Sequence, residues 1–539
     1  VTNTTTASAV MAPHLDRTSG LAQLVVDGRH FPVLGVELHN STASGTAALG
    51  HGLEIARKVN ATTVLASVTW EALEPTEGTY DFSSVDKLVA EVRKAGLRLV
   101  LLWFGAWKNG SSSYAPAWVK LDWQRFPRCV LDDGRLSDTL TPFGPTQLDA
   151  PAFQALVEHV EQTDAEHRTV IMIQIENEIG LLGASRDHSE QADRAFHAAV
   201  PESLRQSLLQ RPGFEGELRT WADITDDPLG RDEAFMAWGY ASHVEALARR
   251  ARTVSPLPFF VNAWLDSEID IDIEGFAVAG GQVPGTYPSG GPLPRVADVW
   301  TSIATTVDLF TPDVYFGDPD KILPAFAKMS RGLFIPEQRR DQSGVGTAFL
   351  AIGQYGALGV SPFGVDSAEG EDLAPLEDAY ALLSAVFPVT SHPDGTRREL
   401  TGFHLTDALP TVTRSLGSID LVITRAAGIG VDPAGSDSYG MVVNLGDDTL
   451  LTVGRGFRIH FEHADQSWQV GLEAVDELEP DGMLARMLNG DETAGGTAII
   501  HPPLQSAESP FPIPMSHAHS GMSRCRLYRL PKTLALGAV

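Results

Sequence analysis

Through the first 390 residues, short β-branched or apolar runs alternate with longer amphipathic stretches, the texture of repeated strand–helix units around a parallel sheet. Eight runs read as strands, at 31–38, 63–68, 97–103, 169–175, 258–263, 309–315, 332–336 and 357–363. Between the second and third, Val85, Leu88, Val89 and Val92 share one helical face. Ser83 or Ser84 is placed to cap the start of that helix, and Gly96 stands just past its end. Eight strands in this order are the count of a closed (β/α)8 barrel, and no glycine fingerprint follows the first strand to favour a doubly wound sheet. A polar, partly helical insert at about 183–233 is expected over the end of strand 4.

Beyond residue 391 the pattern shifts to short strands at 421–424, 439–443, 450–453, 457–461, 498–500 and 525–530, with turn pairs such as Gly446-Asp447 and Asn489-Gly490 between them. The sequence therefore divides into an α/β (β/α)8 TIM barrel over 1–390 and an all-β, sandwich-like accessory domain over 391–539. The acidic stretch 473–481 reads as solvated surface.

Composition narrows the function. With 69 acidic against 40 basic residues, the net charge is −29, which repels phosphate backbones and anionic headgroups. Nucleic acid and membrane partners are not expected, and self-association is left open. The first twenty residues lack a basic segment followed by an apolar one, so the reading is cytoplasmic, or secreted if the chain is a processed form. Cys129 and Cys525 read as free thiols. His517-Ala518-His519 reads as a surface turn, Asp270-Ile271-Asp272 lacks the loop of a calcium site, and no cofactor or metal is implied.

The chemistry concentrates in the run from Ile171 to Gly180. Strand alternation sets Ile171, Ile173 and Ile175 on one side and Gln174, Glu176 and Glu178 on the other, inward in a barrel. Two buried carboxylates cannot cheaply stay charged and unpaired, so their pKa values should part, as acid/base chemistry requires. Glu337 follows Pro336 at the end of strand 7, which puts it at the carboxyl-terminal rim where barrel active sites lie. Glu178 and Glu337 then face each other across the mouth, the arrangement of retaining glycoside hydrolysis.

Asn177-Glu178 on strand 4 with Glu337 on strand 7 resembles the large clan of (β/α)8 retaining glycosidases. The fuller words are Gln-x-Glu-Asn-Glu-x-Gly at Gln174 to Gly180, Trp70-Glu71-Ala72-Leu73-Glu74-Pro75, Gly78-Thr79-Tyr80-Asp81-Phe82, Gly35 to Ser41, Trp103 to Asn109 and Ile335-Pro336-Glu337. Together they are similar to glycoside hydrolase family 35, the β-galactosidases, in the branch with a small C-terminal β domain. The chain departs from the commonest form of that family at Ile179, where Tyr is usual, and at Ile-Pro-Glu, where Ser-Glu is usual. The resemblance implies Glu178 as general acid/base, Glu337 as nucleophile and Asn177 as a partner of the sugar 2-hydroxyl.

For the supporting residues, Arg339 or Arg340 and Tyr315 are expected to hold Glu337 ionised, while burial raises Glu178. Asn262, Trp264, Trp107, Glu37 and Asn40 are expected to bind the sugar, with His39, Trp70 and Trp103 as further candidates. The function read from all this is an exo-acting retaining β-galactosidase on oligosaccharides or plant-glycan side chains. The alternatives are another β-glycosidase or a transglycosylase on the same scaffold, β-glucoside-specific for example, or a non-catalytic carbohydrate-binding protein.

Overall fold

The computed structural model describes residues 11–18, 20–144, 148–211, 217–267, 281–392, 395–426, 434–504, 516 and 518–533. Asp270-Ile271-Asp272 and His517 lie outside the described residues.

All eight barrel strands form where the pattern places them. They are β1 (Val33–Glu37), β2 (Thr63–Thr69), β3 (Arg98–Lys108), β4 (Val170–Asn177), β5 (Phe259–Ala263), β6 (Leu309–Val314), β7 (Ile335–Gln338) and β8 (Gly359–Pro362), and they close into one barrel in chain order. The pairings between neighbours are parallel. Every residue of β1, β4, β5, β6, β7 and β8 is buried, as strands covered on both faces require. The seam between β8 and β1 is closed by the parallel bridge Glu37–Phe363 and by Gly364 N–H donating to Glu37 O at 2.9 Å. A Cβ on Gly35 would stand 2.9 Å from Ser361 Cβ, so this close approach requires glycine.

Helices α1 (Thr46–Lys58), α2 (Ser83–Lys94), α3 (Ala150–Asp164), α4 (Pro228–Arg252), α5 (Ala297–Ile303), α6 (Pro319–Ser330), α7 (Gln342–Gly353) and α8 (Ala374–Val386) follow the successive strands. The expected face of α2 is the buried one, and Gly96 takes the left-handed φ of 76° that ends it. Its start differs from expectation. Neither serine caps it; the Asp81 carboxylate accepts from Ser83 N–H at 2.9 Å, doing from two residues upstream what a hydroxyl cap would do. The insert supplies short helices Glu190–Phe196 and Glu202–Leu209 before α4 begins, capped by Asp227.

Two compact units emerge. The first holds residues 1–57, 61–338 and 360–366, and the second holds 58–60, 339–359 and 367–539, so α7 and α8 group with the C-terminal strands. Those strands are β9 (Leu400–Leu405), β10 (Thr411–Leu416), β11 (Ile419–Arg425), β12 (Ser438–Gly446), β13 (Thr449–Arg455), β14 (Phe457–His463), β15 (Trp468–Leu478), β16 (Leu484–Met487), β17 (Ala498–His501) and β18 (Met522–Pro531). They form two antiparallel sheets, β9-β12-β13-β18-β15-β16 and β10-β11-β14-β17. Phe403, Leu421, Ile423, Val442, Phe457, Ile459 and Ile499 are among the residues of their shared core.

The acidic stretch 473–481 is partly strand, not simply solvated surface. Glu477 is buried on β15, pairs with Arg486 Nε at 2.7 Å and accepts from Ser520 N–H at 2.8 Å. Both cysteines are buried and free. No helix among the described residues is long and apolar enough to cross a membrane.

Candidate active site

The site begins with an irregularity between β3 and β4. Trp103 pairs with Ile175 and Lys108 with Asn177, so five steps along β3 face two along β4 and the intervening residues bulge. The bulge frees two backbone N–H groups, and the Glu176 carboxylate takes both, from Ala106 at 3.1 Å and from Trp107 at 2.8 Å. Glu176 and Glu178 both carry left-handed φ, 57° and 45°, a conformation costing non-glycine residues about 1–2 kcal/mol each. The alternation expected of Gln174, Glu176 and Glu178 therefore fails. The backbone turn at 176 sends its carboxylate to Asp149 and His243, while Glu178 joins a different group.

That second group gathers carboxyls from four strands. Glu37 ends β1, Glu178 follows β4, Asp313 lies on β6 and Glu337 on β7; all four are buried and each of the first three is acted on by Glu337. Burial first and Glu337 second push Glu178 up to about 8, with Lys108 opposing. The same causes raise Glu37 and Asp313 well above the usual carboxylate range. Tyr315 O–H donates to Glu337 Oε1 at 2.6 Å. Asn262 ties two strands together: its Oδ1 accepts from Glu178 N–H at 3.0 Å and its Nδ2 donates to Asp313 Oδ2 at 2.7 Å. Lys108 Nζ donates to Asn177 Oδ1 at 2.8 Å.

Four buried polar atoms here have no hydrogen-bond partner within the protein: Asn177 Nδ2, Trp264 Nε1, Asp313 Oδ1 and Glu337 Oε2. They come from the carboxyl ends of the four successive strands β4 to β7. Buried polar atoms are ordinarily satisfied, so a cluster of orphans at one rim marks where a polar ligand docks.

The structure thus brings together Glu178, Glu337, Glu37, Asn177, Asn262 and Tyr315, and sets Trp264 just past β5. Trp107 is a correction. It is wholly buried, packs edge-on to Tyr240 and His243, and donates from Nε1 to Leu140 O at 3.0 Å, leaving no face for a sugar. The bulge turns it into the packing layer. Trp70 and Trp103 are likewise wholly buried, bonded to Glu74 and Asp149. Asn40 is half-buried with Oδ1 unpartnered, and exposed His39 stands edge-on to Phe363. Arg339 pairs with Asp341, and Arg340 donates to Ser367 Oγ at 2.8 Å. The cation that acts on Glu37, Glu178 and Asp313 is Lys108, which the sequence reading passed over. Its signal was available, as the only lysine near a strand end within the aromatic run Trp103 to Asn109.

Residues 51–212 match the family model of glycoside hydrolase family 42, described as beta-galactosidase, and residues 376–500 match a domain of unknown function, DUF5597. No curated protein matches the chain. Among solved structures it is similar to the β-galactosidase of the psychrophilic Marinomonas ef1, with 13% identity, 67% of this chain and 61% of that one covered, and a TM-score of 0.45. The β-galactosidase of the Antarctic haloarchaeon Halorubrum lacusprofundi gives 16%, 66%, 59% and 0.45. The family 42 β-galactosidase of G. stearothermophilus gives 15%, 68%, 58% and 0.44. The chain spans about three fifths of the length of these structures. The resemblance to family 35 is overturned: the model that matches the segment carrying Asn177 and Glu178 is that of family 42. The two-glutamate arrangement resembles the wider clan of (β/α)8 retaining glycosidases, and Ile179 and Ile335-Pro336-Glu337 depart from the commonest form of family 35.

Proposed function

We propose that this chain is an exo-acting, retaining β-galactosidase in which Glu178 is the general acid/base and Glu337 the nucleophile. The observation that carries the reading is the pairing of a carboxyl raised to about 8, and so protonated at neutral pH, with a second carboxyl held by a tyrosine hydroxyl at the same barrel rim. The match of residues 51–212 to a β-galactosidase model supports the sugar.

In the first step Glu337 attacks the anomeric carbon while Glu178 donates its proton to the departing oxygen. In the second, Glu178 takes a proton from water as that water opens the covalent glycosyl enzyme. Asn177 Nδ2, unpartnered within the protein, is free to bond the 2-hydroxyl, and Lys108 fixes the Asn177 amide so that Nδ2 faces the site. Asp313 Oδ1 and Trp264 Nε1 offer polar contacts for further hydroxyls. Four carboxyls in one pocket favour a neutral sugar over a uronic acid.

A p-nitrophenyl glycoside screen tests the sugar, and NMR of the first-formed anomer tests retention. Cleavage of the β-galactoside with β-galactose appearing first is expected. Turnover of another glycoside in its place, or release of the inverted anomer, would overturn the reading.

A further inference from the structure

Behind the barrel rim, a second set of buried ionisable groups takes no part in this chemistry. Asp149 precedes α3, Glu176 lies on β4 and His243 on α4; the first two side chains are 0% exposed and the third 7%. Asp149 Oδ1 is 3.0 Å from His243 Nε2, and Glu176 Oε1 is 3.5 Å from the same nitrogen. One ligating atom from each residue lies within 4.8 Å of the others.

The outer atoms are already held. Trp103 Nε1–H donates to Asp149 Oδ2 at 2.6 Å, and Trp107 N–H donates to Glu176 Oε2 at 2.8 Å. Of the inner atoms, Glu176 Oε1 also accepts from Ala106 N–H at 3.1 Å, whereas Asp149 Oδ1 and His243 Nε2 stand as a close ion pair that makes no hydrogen bond. Donor and acceptor are near each other without being aligned. Two ligands that share an ion, each about 2.0–2.2 Å from it, stand roughly 3 to 3.5 Å apart and need not point at each other.

The held outer atoms are the supporting bonds that orient metal ligands. Two carboxylates and a neutral imidazole, the forms in which these groups ligate a metal, are matched in charge by one divalent cation.

We propose that Asp149, Glu176 and His243 form a buried site for one divalent transition cation, zinc foremost, which fastens α3 and α4 to the bulged wall of β3 and β4. An oxygen and imidazole donor set with no thiolate suits zinc or manganese and not a soft monovalent ion.

The test is elemental analysis of the purified, full-length protein after dialysis without chelator, paired with thermal unfolding. The expected result is about one equivalent of metal per chain, a midpoint lowered by chelator and restored by ZnCl2 or MnCl2. The near-isosteric variants Asp149→Asn and Glu176→Gln should each lower bound metal by at least about tenfold. Less than about a tenth of an equivalent in the wild type, with a midpoint indifferent to added zinc and manganese, would overturn the proposal and leave two protons as the balancing charges. Should the variants not fold, wild-type metal content and melting decide alone. None of these readouts depends on catalysis, so failure of the galactosidase reading would leave the result standing.

Discussion

Glu176 and Glu178 lie two residues apart on the same barrel segment and share a residue type, burial and a left-handed backbone, yet they serve opposite ends. Glu176 spends its oxygens on two backbone N–H groups and sits beside an imidazole. Glu178 faces other carboxyls, with one lysine and the Asp313 side chain as relief. In the first environment both oxygens of the glutamate are met by the protein's own N–H groups; in the second, atoms on four strand ends are left without a partner. A buried carboxyl is made structural or chemical by what its neighbours leave unsatisfied, not by depth.

Substitutions break this comparison in graded ways. The largest effect is expected from Glu178→Gln, which should cut kcat for an aryl β-galactoside by about 10²–10⁴-fold, the usual worth of a general acid, while circular dichroism stays unchanged. The same variant reports on strain. The folded chain keeps the Glu178 proton up to about 8, whereas the unfolded chain releases it in the ordinary carboxyl range. Stabilisation from that proton is full below that range and is lost as pH climbs to about 8. Gln never ionises, so Glu178→Gln should melt higher than wild type at pH 8.5.

Gly105→Ala attacks the cluster around Glu176 instead. Its Cβ would lie 2.1 Å from Asp149 Oδ2 and 2.8 Å from Glu176 Oε1, and a loss of at least about 3 kcal/mol in chemical denaturation is expected. Next in size, Tyr315→Phe removes the donor to Glu337 and should lower kcat by roughly 10- to 100-fold, the scale of one hydrogen bond to a charged group, with little change in melting. The smallest effect is a shift of profile. Lys108 opposes the raised pKa of Glu178, so Lys108→Met should move the alkaline limb of kcat upward by about one pH unit.

The barrel was legible because each of its strands is a short apolar run between amphipathic stretches, and burial on both faces leaves that signature intact. The strands β10, β15 and β16 were not, because they sit partly at the surface and carry residues such as Arg414, Glu473 and Arg486 that blur alternation, and buried β9 was hidden by Gly402 and His404 in its apolar run. Glu178, Glu337, Asn177, Asn262 and Tyr315 could be placed from their positions at strand ends. What pattern alone could not show was the bulge. Period-two reasoning assumes an unbroken ladder, and the extra β3 residues reverse the fates of Glu176 and Trp107. Asp149 and His243 lay beyond reach for another reason, since only tertiary packing joins the turn before α3 to the middle of α4.

The grouping of α7 and α8 with the C-terminal strands has a practical consequence for dissecting the chain. Helix α7 is buried along Gly344 to Gly353, and a Cβ at Gly346 or Gly353 would collide with His404 or Gly402 of β9. A stop codon at the apparent boundary near 390 would strip this apolar helix of the sheet that covers it. The protein is thus expected to resist modular shortening: the C-terminal strands are no detachable passenger, and deletion should yield aggregate where a barrel fragment was wanted.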